Sequence, residues 1–339
     1  MFFSSLQQVD SSLLARAVAS ILRESREPLT ALQQRWLTVV FRQLLGTEWD
    51  PISLRPVTPF EVDQCWPEAT KRLELIELLA SLELLCNPIP PGLHAAVTHW
   101  AAALAIESDS LLLIRDLALH HQRRATRAWY RLSWFGQQAL AKPSQLSELA
   151  GHGVMAIALT FEPDPREASR WRGLADCPPG SLGRSLFQLL DREGVGFPGE
   201  PGATHPTLAL HDWIHVITGC PVSPLGEIAT AAYIAAASRS SAATLAFLGT
   251  ISIFEASLLD YHIDLSAPER LAEMPRYSGA LSTPGAVEQV AQAIQAGRLC
   301  PIDPLIDVDY FQHACECLQT VRQRWQLPPE GLWLGVGQE

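Results

Sequence analysis

Lysine is nearly missing from this chain: Lys71 and Lys142 are the two in 339 residues, and arginine supplies the other basic charge. Against 25 Lys+Arg stand 36 Asp+Glu, a net charge of −11. Nucleic-acid backbones call for a net basic face, so no nucleic-acid partner is expected. No Cys-x-x-Cys occurs, and the seven cysteines are scattered at 65, 86, 177, 220, 300, 315 and 317. The close pair Cys315-Glu316-Cys317 has the wrong spacing for a zinc knuckle, so reduced thiols in a cytoplasmic protein are expected. The longest apolar stretch, Ser241 to Phe254, falls short of the ~20 residues that span a bilayer. The start, Met1-Phe2-Phe3-Ser4-Ser5, has neither a basic n-region nor a continuous apolar h-region, and no signal peptide is expected. A peripheral contact on the inner face of the cytoplasmic membrane is compatible with these absences. Sustained strand-like alternation, tandem repeats and low-complexity tracts are lacking too.

What the chain does have is apolar surface in helical register. Apolar residues make up 47% and charged residues 18%, enough burial to offset chain entropy and exclude disorder as the dominant state. Leu13, Leu14, Ala17, Val18, Ile21 and Leu22 form one helical stripe. Further helices are expected over Thr30–Leu45, Ala69–Leu85, Leu93–Ala105 and Ser110–Trp134. Pro143-Ser144 and the glycines at 151 and 153 suggest a junction near residue 145. Beyond it, helices are expected from Ser181, over Thr207–Ile217, Pro224–Ser238, Ser241–Leu259, Gly285–Ala296 and Asp309–Trp325. The expectation is an all-α protein of two helical domains, 1–145 and 146–339.

Chemistry concentrates between His211 and Glu227. At 100° per residue His211, His215 and Asp212 fall at 0°, 40° and 100°, on one helical face. Gly219 and Pro221 end that helix, and Ser223 reads as an N-cap with Pro224 at the first helical position. Glu227 then lies in the first turn of the next helix, where a hairpin folds it back onto the histidine pair. Two imidazoles and two carboxylates from adjacent helices suit a divalent metal. The simpler alternative keeps His211 and His215 as ordinary hydrogen-bonded helix residues. A metalloprotease fits poorly, because in His-Asp-x-x-His the carboxylate is one methylene shorter than the zincin general base.

His-Asp-x-x-His, eleven further residues and Glu, at 211, 212, 215 and 227, resembles the metal motif of the fourth protein of the coenzyme Q biosynthesis series. The flanks are similar as well: His211 to Gly219, Pro224-Leu225-Gly226-Glu227, and Pro178-Pro179-Gly180-Ser181-Leu182-Gly183-Arg184, which resembles that family's Pro-x-Gly-Thr-Leu-Gly-Arg. Gly297-Arg298 is similar to a later Gly-Arg segment, after which Cys300-Pro301 replaces the family's basic, polar continuation. The resemblance spans roughly residues 150 to 330. It implies an all-helical fold holding a divalent metal, zinc in the usual description and iron or manganese by ligand chemistry. The implied pocket takes a prenylated aromatic quinone precursor, or another isoprenoid lipid, and the implied reaction removes the ring carboxyl and installs a hydroxyl. The family also serves as a scaffold for other quinone-biosynthesis proteins, so a non-catalytic lipid-binding scaffold is the alternative function. Arg184, Arg239 and Arg298 are the candidates for meeting an anionic substrate group.

Between Ile228 and Leu259, Ala231, Ala232, Ala235, Ala236, Ala237, Ala242, Ala243 and Ala246 either leave room for a prenyl chain or permit close helix packing. Glu255, Asp260 and His262 show no site spacing and are read as structural. Residues Leu73 to Leu117 loosely resemble the TerB-like helical family, with Cys86-Asn87-Pro88 where that family has Asp-Gly. His120-His121 and Arg123-Arg124 read as a solvated helix face, with anionic lipid as the sharper alternative.

Overall fold

A computed structural model describes residues 5–6, 8–194, 196–259, 278–333 and 335. Asp260 and His262 lie outside the described residues. The first half contains α1 (Ser11–Ser25), α2 (Ala31–Val39), α3 (Pro59–Cys65), α4 (Ala69–Glu83), α5 (Pro91–Ala103), α6 (Asp109–Ala118), α7 (Gln122–Leu132) and α8 (Trp134–Leu140). The second contains α9 (Pro143–His152), α10 (Pro165–Arg172), α11 (Leu182–Glu193), α12 (Leu210–Thr218), α13 (Pro224–Ala237), α14 (Ser241–Phe254), α15 (Ala286–Leu299) and α16 (Leu318–Arg324). Among the described residues there is no strand, only two isolated bridges, and the fold is all-α. No described helix is long and apolar enough to cross a membrane.

Two expected helices are broken, one by local backbone geometry and one by a long-range contact. The run from Ser110 to Trp134 divides at His120, whose φ of 59° leaves the helical region, and at Ser133, whose backbone is extended. The run from Asp309 to Trp325 divides because residues 314–318 give their backbone groups to the start of α11. Leu182 and Gly183 donate to the carbonyls of Glu316 and Ala314, and Leu318 donates to that of Gly180. These bonds satisfy donors that a helix start would otherwise leave open. They also bring together Cys177 and Cys315, whose Cα atoms are 5.0 Å apart and which form a disulfide. Seven reduced thiols were the expectation, and five remain free. Spacing along the chain could not reveal a pair 138 residues apart.

The junction expected near residue 145 falls inside α9, because Pro143 sits in that helix's first turn and starts it. One apolar core runs through both halves. α15 packs against α13 on one side and α2 on the other, and Arg35 of α2 pairs with Glu288 of α15 at 2.8 Å. α14 packs against α13, α6, α7 and α8.

Candidate metal centre

The α12–α13 hairpin is built from its ends. An α-helix leaves its last four carbonyls without intrahelical donors. In α12 all four are met: Gly219 N–H donates to His215 O, Leu332 N–H to Thr218 O, and the Arg322 guanidinium to Val216 O and Ile217 O at 3.0 and 2.9 Å. Gly219 takes φ 76°, the left-handed conformation that closes a helix and that glycine adopts without steric cost. Ser223 accepts from Gly226 N–H to cap α13, with Pro224 in its first turn. On the face of α12 away from the histidines, Trp213 is fully buried and stacks on Tyr310 with Trp171 and Phe311 beside it.

This scaffold brings His211, His215 and Glu227 together, one ligand atom from each lying within 4.8 Å of the others. His211 Nε2 is 3.5 Å from one Glu227 oxygen, and His215 Nε2 is 3.3 Å from the other. Asp212 is buried beside them, its Oδ1 3.3 Å from His211 Nε2. Ligand atoms around a tetrahedral ion with bonds of ~2.0–2.1 Å are themselves about 3.4 Å apart, so the spacing fits. The tautomers fit too. His211 Nδ1 donates to Leu208 O at 2.6 Å and His215 Nδ1 to Cys220 O at 3.0 Å, which directs each Nε2 at the site; a bound ion would take the place of the proton on His211 Nε2. His215 Nε2 is buried and has no hydrogen-bond partner among the described residues, a cost that a bound cation would remove.

Electrostatics favour positive charge at this point. Burial pulls the His211 pKa down, but Asp212, Glu227 and the Leu208 carbonyl outweigh it and hold it at about 10. Burial pushes Glu227 up, yet His215 and His211 hold its carboxyl well below the usual range. Asp212 is raised by burial, with the two histidines opposing. The N-terminal end of α13 adds its own preference for the Glu227 carboxylate.

His211, Asp212 and Glu227 open onto a cavity of about 560 Å³, while His215 lies behind them. Thr230, Ala231 and Ile234 of α13 and Ala243, Ala246, Thr250, Ile253 and Phe254 of α14 form one wall. The alanines divide between the two readings: Ala231, Ala243 and Ala246 line the cavity, whereas Ala232, Ala235 and Ala236 are buried away from it. The opposite wall was not foreseen. It comes from the first half of the chain, with Trp129, Tyr130, Trp134 and Phe135 in edge-to-face contact. Four aromatics within residues 129–135 are the signal that sequence reading passed over. Glu193, exposed at the end of α11, is the further carboxylate lining this cavity.

The three arginines are placed elsewhere, and none lines the cavity. Arg184 donates to Ala175 O beside its Ser181 cap. Arg239 pairs with Asp307 at 2.7 Å on the surface. Arg298 donates to Leu44 O and Leu6 O, tying the two halves together. Glu255 accepts from Leu281 N–H, a structural role.

Neither a scan against family models nor a search of curated proteins finds a match. Among solved structures, a crystal structure from Nostoc punctiforme described as a "Putative ubiquinone biosynthesis protein" is 16% identical, covering 74% of this chain and 95% of that one with a TM-score of 0.31. A likeness that loose carries no argument, and the functional reading rests on the residues themselves.

Proposed function

We propose that this protein carries out metal-dependent processing of a prenylated hydroxybenzoate-type ring in quinone biosynthesis, at the ring carboxyl position. The observation that carries the reading is the joining of two features: two imidazole Nε2 atoms, one of them without a hydrogen-bond partner, and a carboxylate converge beside a largely apolar cavity. His211, His215 and Glu227 would hold the ion, with Asp212 beside them. A divalent ion there would act as a Lewis acid toward the phenol or carboxylate of the ring. Zinc, iron and manganese all accept imidazole and carboxylate donors, and two histidines with one carboxylate is also the donor set of non-haem iron oxygenases. The chain's own contribution is positional. Leu208 and Cys220 carbonyls fix the imidazole tautomers, and the apolar walls exclude water so that charge developing on the ring is felt more strongly.

The scaffold alternative has one observation in its favour: Glu193, the further carboxylate of the cavity, is exposed and already paired with Arg192 at 3.1 Å. Metal analysis and turnover separate the two readings. Protein purified without added metal should carry about one divalent ion, and His215→Ala should lose it. With Fe(II), Mn(II) or Zn(II) restored, the wild type should decarboxylate or hydroxylate a prenylated hydroxybenzoate. Binding of the lipid with no turnover under any of the three metals refutes the enzyme reading.

A further inference from the structure

The cavity has a measurable capacity, and capacity decides what it can enclose. A cavity of ~150 Å³ holds one benzene, six carbons, so 560 Å³ encloses about 22 non-hydrogen atoms. A hydroxybenzoate ring with its substituents takes about ten of these on the same scale, leaving room for two to three isoprene units.

The path is set by the helices. α13 and α14 are joined by residues 238–240 and pack against each other, so they run antiparallel. A ring beside Glu227 at the start of α13 therefore lies near the end of α14. Its chain then follows the face from Phe254 back to Ala243, ~16 Å at 1.5 Å per residue. Midway along, Gly249 leaves α14 bare, and the Trp129 indole occupies the place a Cβ would take. Trp129 is 6% exposed, lines the cavity, and its Nε1 has no hydrogen-bond partner among the described residues. Tyr130 and Phe135 hold the ring edge-on.

We infer that Trp129, seated on Gly249, determines the prenyl chain length this cavity encloses: the aromatic ring and its first two to three isoprene units lie within, and longer chains leave it. The inference rests on the proposed function and adds to it a specificity-determining residue contributed by the first half of the chain. Trp129→Ala removes about nine non-hydrogen atoms, room for about two further isoprene units, and Ala246→Phe fills room for about one.

The test is an affinity series with hydroxybenzoates carrying one to six isoprene units, measured by displacement of a fluorescent lipid from metal-loaded full-length protein. Each enclosed unit should tighten binding at least ~10-fold, since every buried methylene-sized group contributes. The wild-type series should flatten after two to three units, the Trp129→Ala series about two units later, and the Ala246→Phe series about one unit earlier. Helical circular dichroism and metal content confirm that each variant is folded, and the two substitutions move the plateau in opposite directions. Affinity that keeps rising with length in the wild type, or a plateau that neither variant moves, overturns the inference and leaves the proposed function standing. Failure of every prenylated ring to bind overturns both.

Discussion

Arg322→Met is the substitution that most directly tests how α12 is held. The guanidinium is 9% exposed and makes three bonds to carbonyls, to Ile217 at 2.9 Å, Val216 at 3.0 Å and Pro329 at 2.6 Å. Hydrogen bonds from a charged donor contribute about 1.5–3 kcal/mol each, and a cation at a helix C-terminus up to about 2 kcal/mol more. Methionine fills the volume, and some of the freed carbonyls will hydrate, so a net loss of about 4 kcal/mol is expected. At ~2.1 cal/mol/K per residue, a chain of 339 residues unfolds with an entropy of about 0.7 kcal/mol/K, which converts that loss into a Tm drop of about 6 °C. Fraying of the last turn of α12 moves His215 more than His211, so zinc affinity should fall ~10–100-fold, as for other partners that orient ligands. Scanning calorimetry and chelator competition read the two effects. Arg324→Met, which loses only an exposed pair with Glu316, is the control and should stay within ~0.5 kcal/mol. A variant at 322 that melts within about 1 °C of wild type with unchanged zinc affinity refutes the account of how this helix ends.

Glu227→Gln should keep the hairpin, since Ser223 and Pro224 are untouched, but weaken the metal by removing a negative ligand; inductively coupled plasma analysis after dialysis checks it, and full occupancy refutes the assignment. Alkylation of the denatured, unreduced protein should label five cysteines, leaving Cys177 and Cys315 as the protected pair; seven labels would restore the reduced reading. Burial raises the Glu77 carboxyl to about 8 from an ordinary 4.5, so folding favours its protonated form, and that contribution, intact below pH 4.5, is lost as pH rises through 8. Glu77→Gln should therefore flatten the Tm–pH curve and stabilise the protein at pH 8, by at most about 5 kcal/mol; equal Tm gains at pH 5 and pH 8 would contradict it.

The parts of this molecule legible in its sequence are those with local causes. The α12–α13 hairpin follows from Gly219, Ser223 and Pro224, each of which fixes a backbone conformation without outside help. His211, His215 and Glu227 come together because helical period and hairpin geometry are both local properties. Asp212 shares that helix face and lies 3.3 Å from His211 Nε2, beside the three convergent side chains. The arginines were read from motif position, and what decides their role is distant. Arg298 meets Leu6 and Leu44 across the core, and Arg239 meets Asp307. The same holds for the disulfide and for the aromatic wall, where residues 75 or more positions before α12 complete the cavity it opens onto. A pattern of helical periods reports which face is apolar, not which other face will cover it.

The caps on α12 and α13 also bear on what an ion at this site would be for. A structural ion stabilises a segment that cannot close by itself, and such segments unfold on chelation. Protein groups already close this hairpin: four C-terminal carbonyls are met by protein donors, the next helix is capped by Ser223, and Trp213 anchors the far face. An ion would then be redundant as a brace, whereas His211, Asp212 and Glu227 open onto a cavity where a ligand can reach it. Chelation should accordingly leave the far-ultraviolet circular dichroism of the protein unchanged. It should lower stability only by the mass-action amount, about 2.7 kcal/mol for an ion at 100 times its Kd. Ring turnover should vanish in the same sample and return with the ion. Loss of helical signal on chelation, with turnover absent before and after, would make the ion a brace and the protein a carrier.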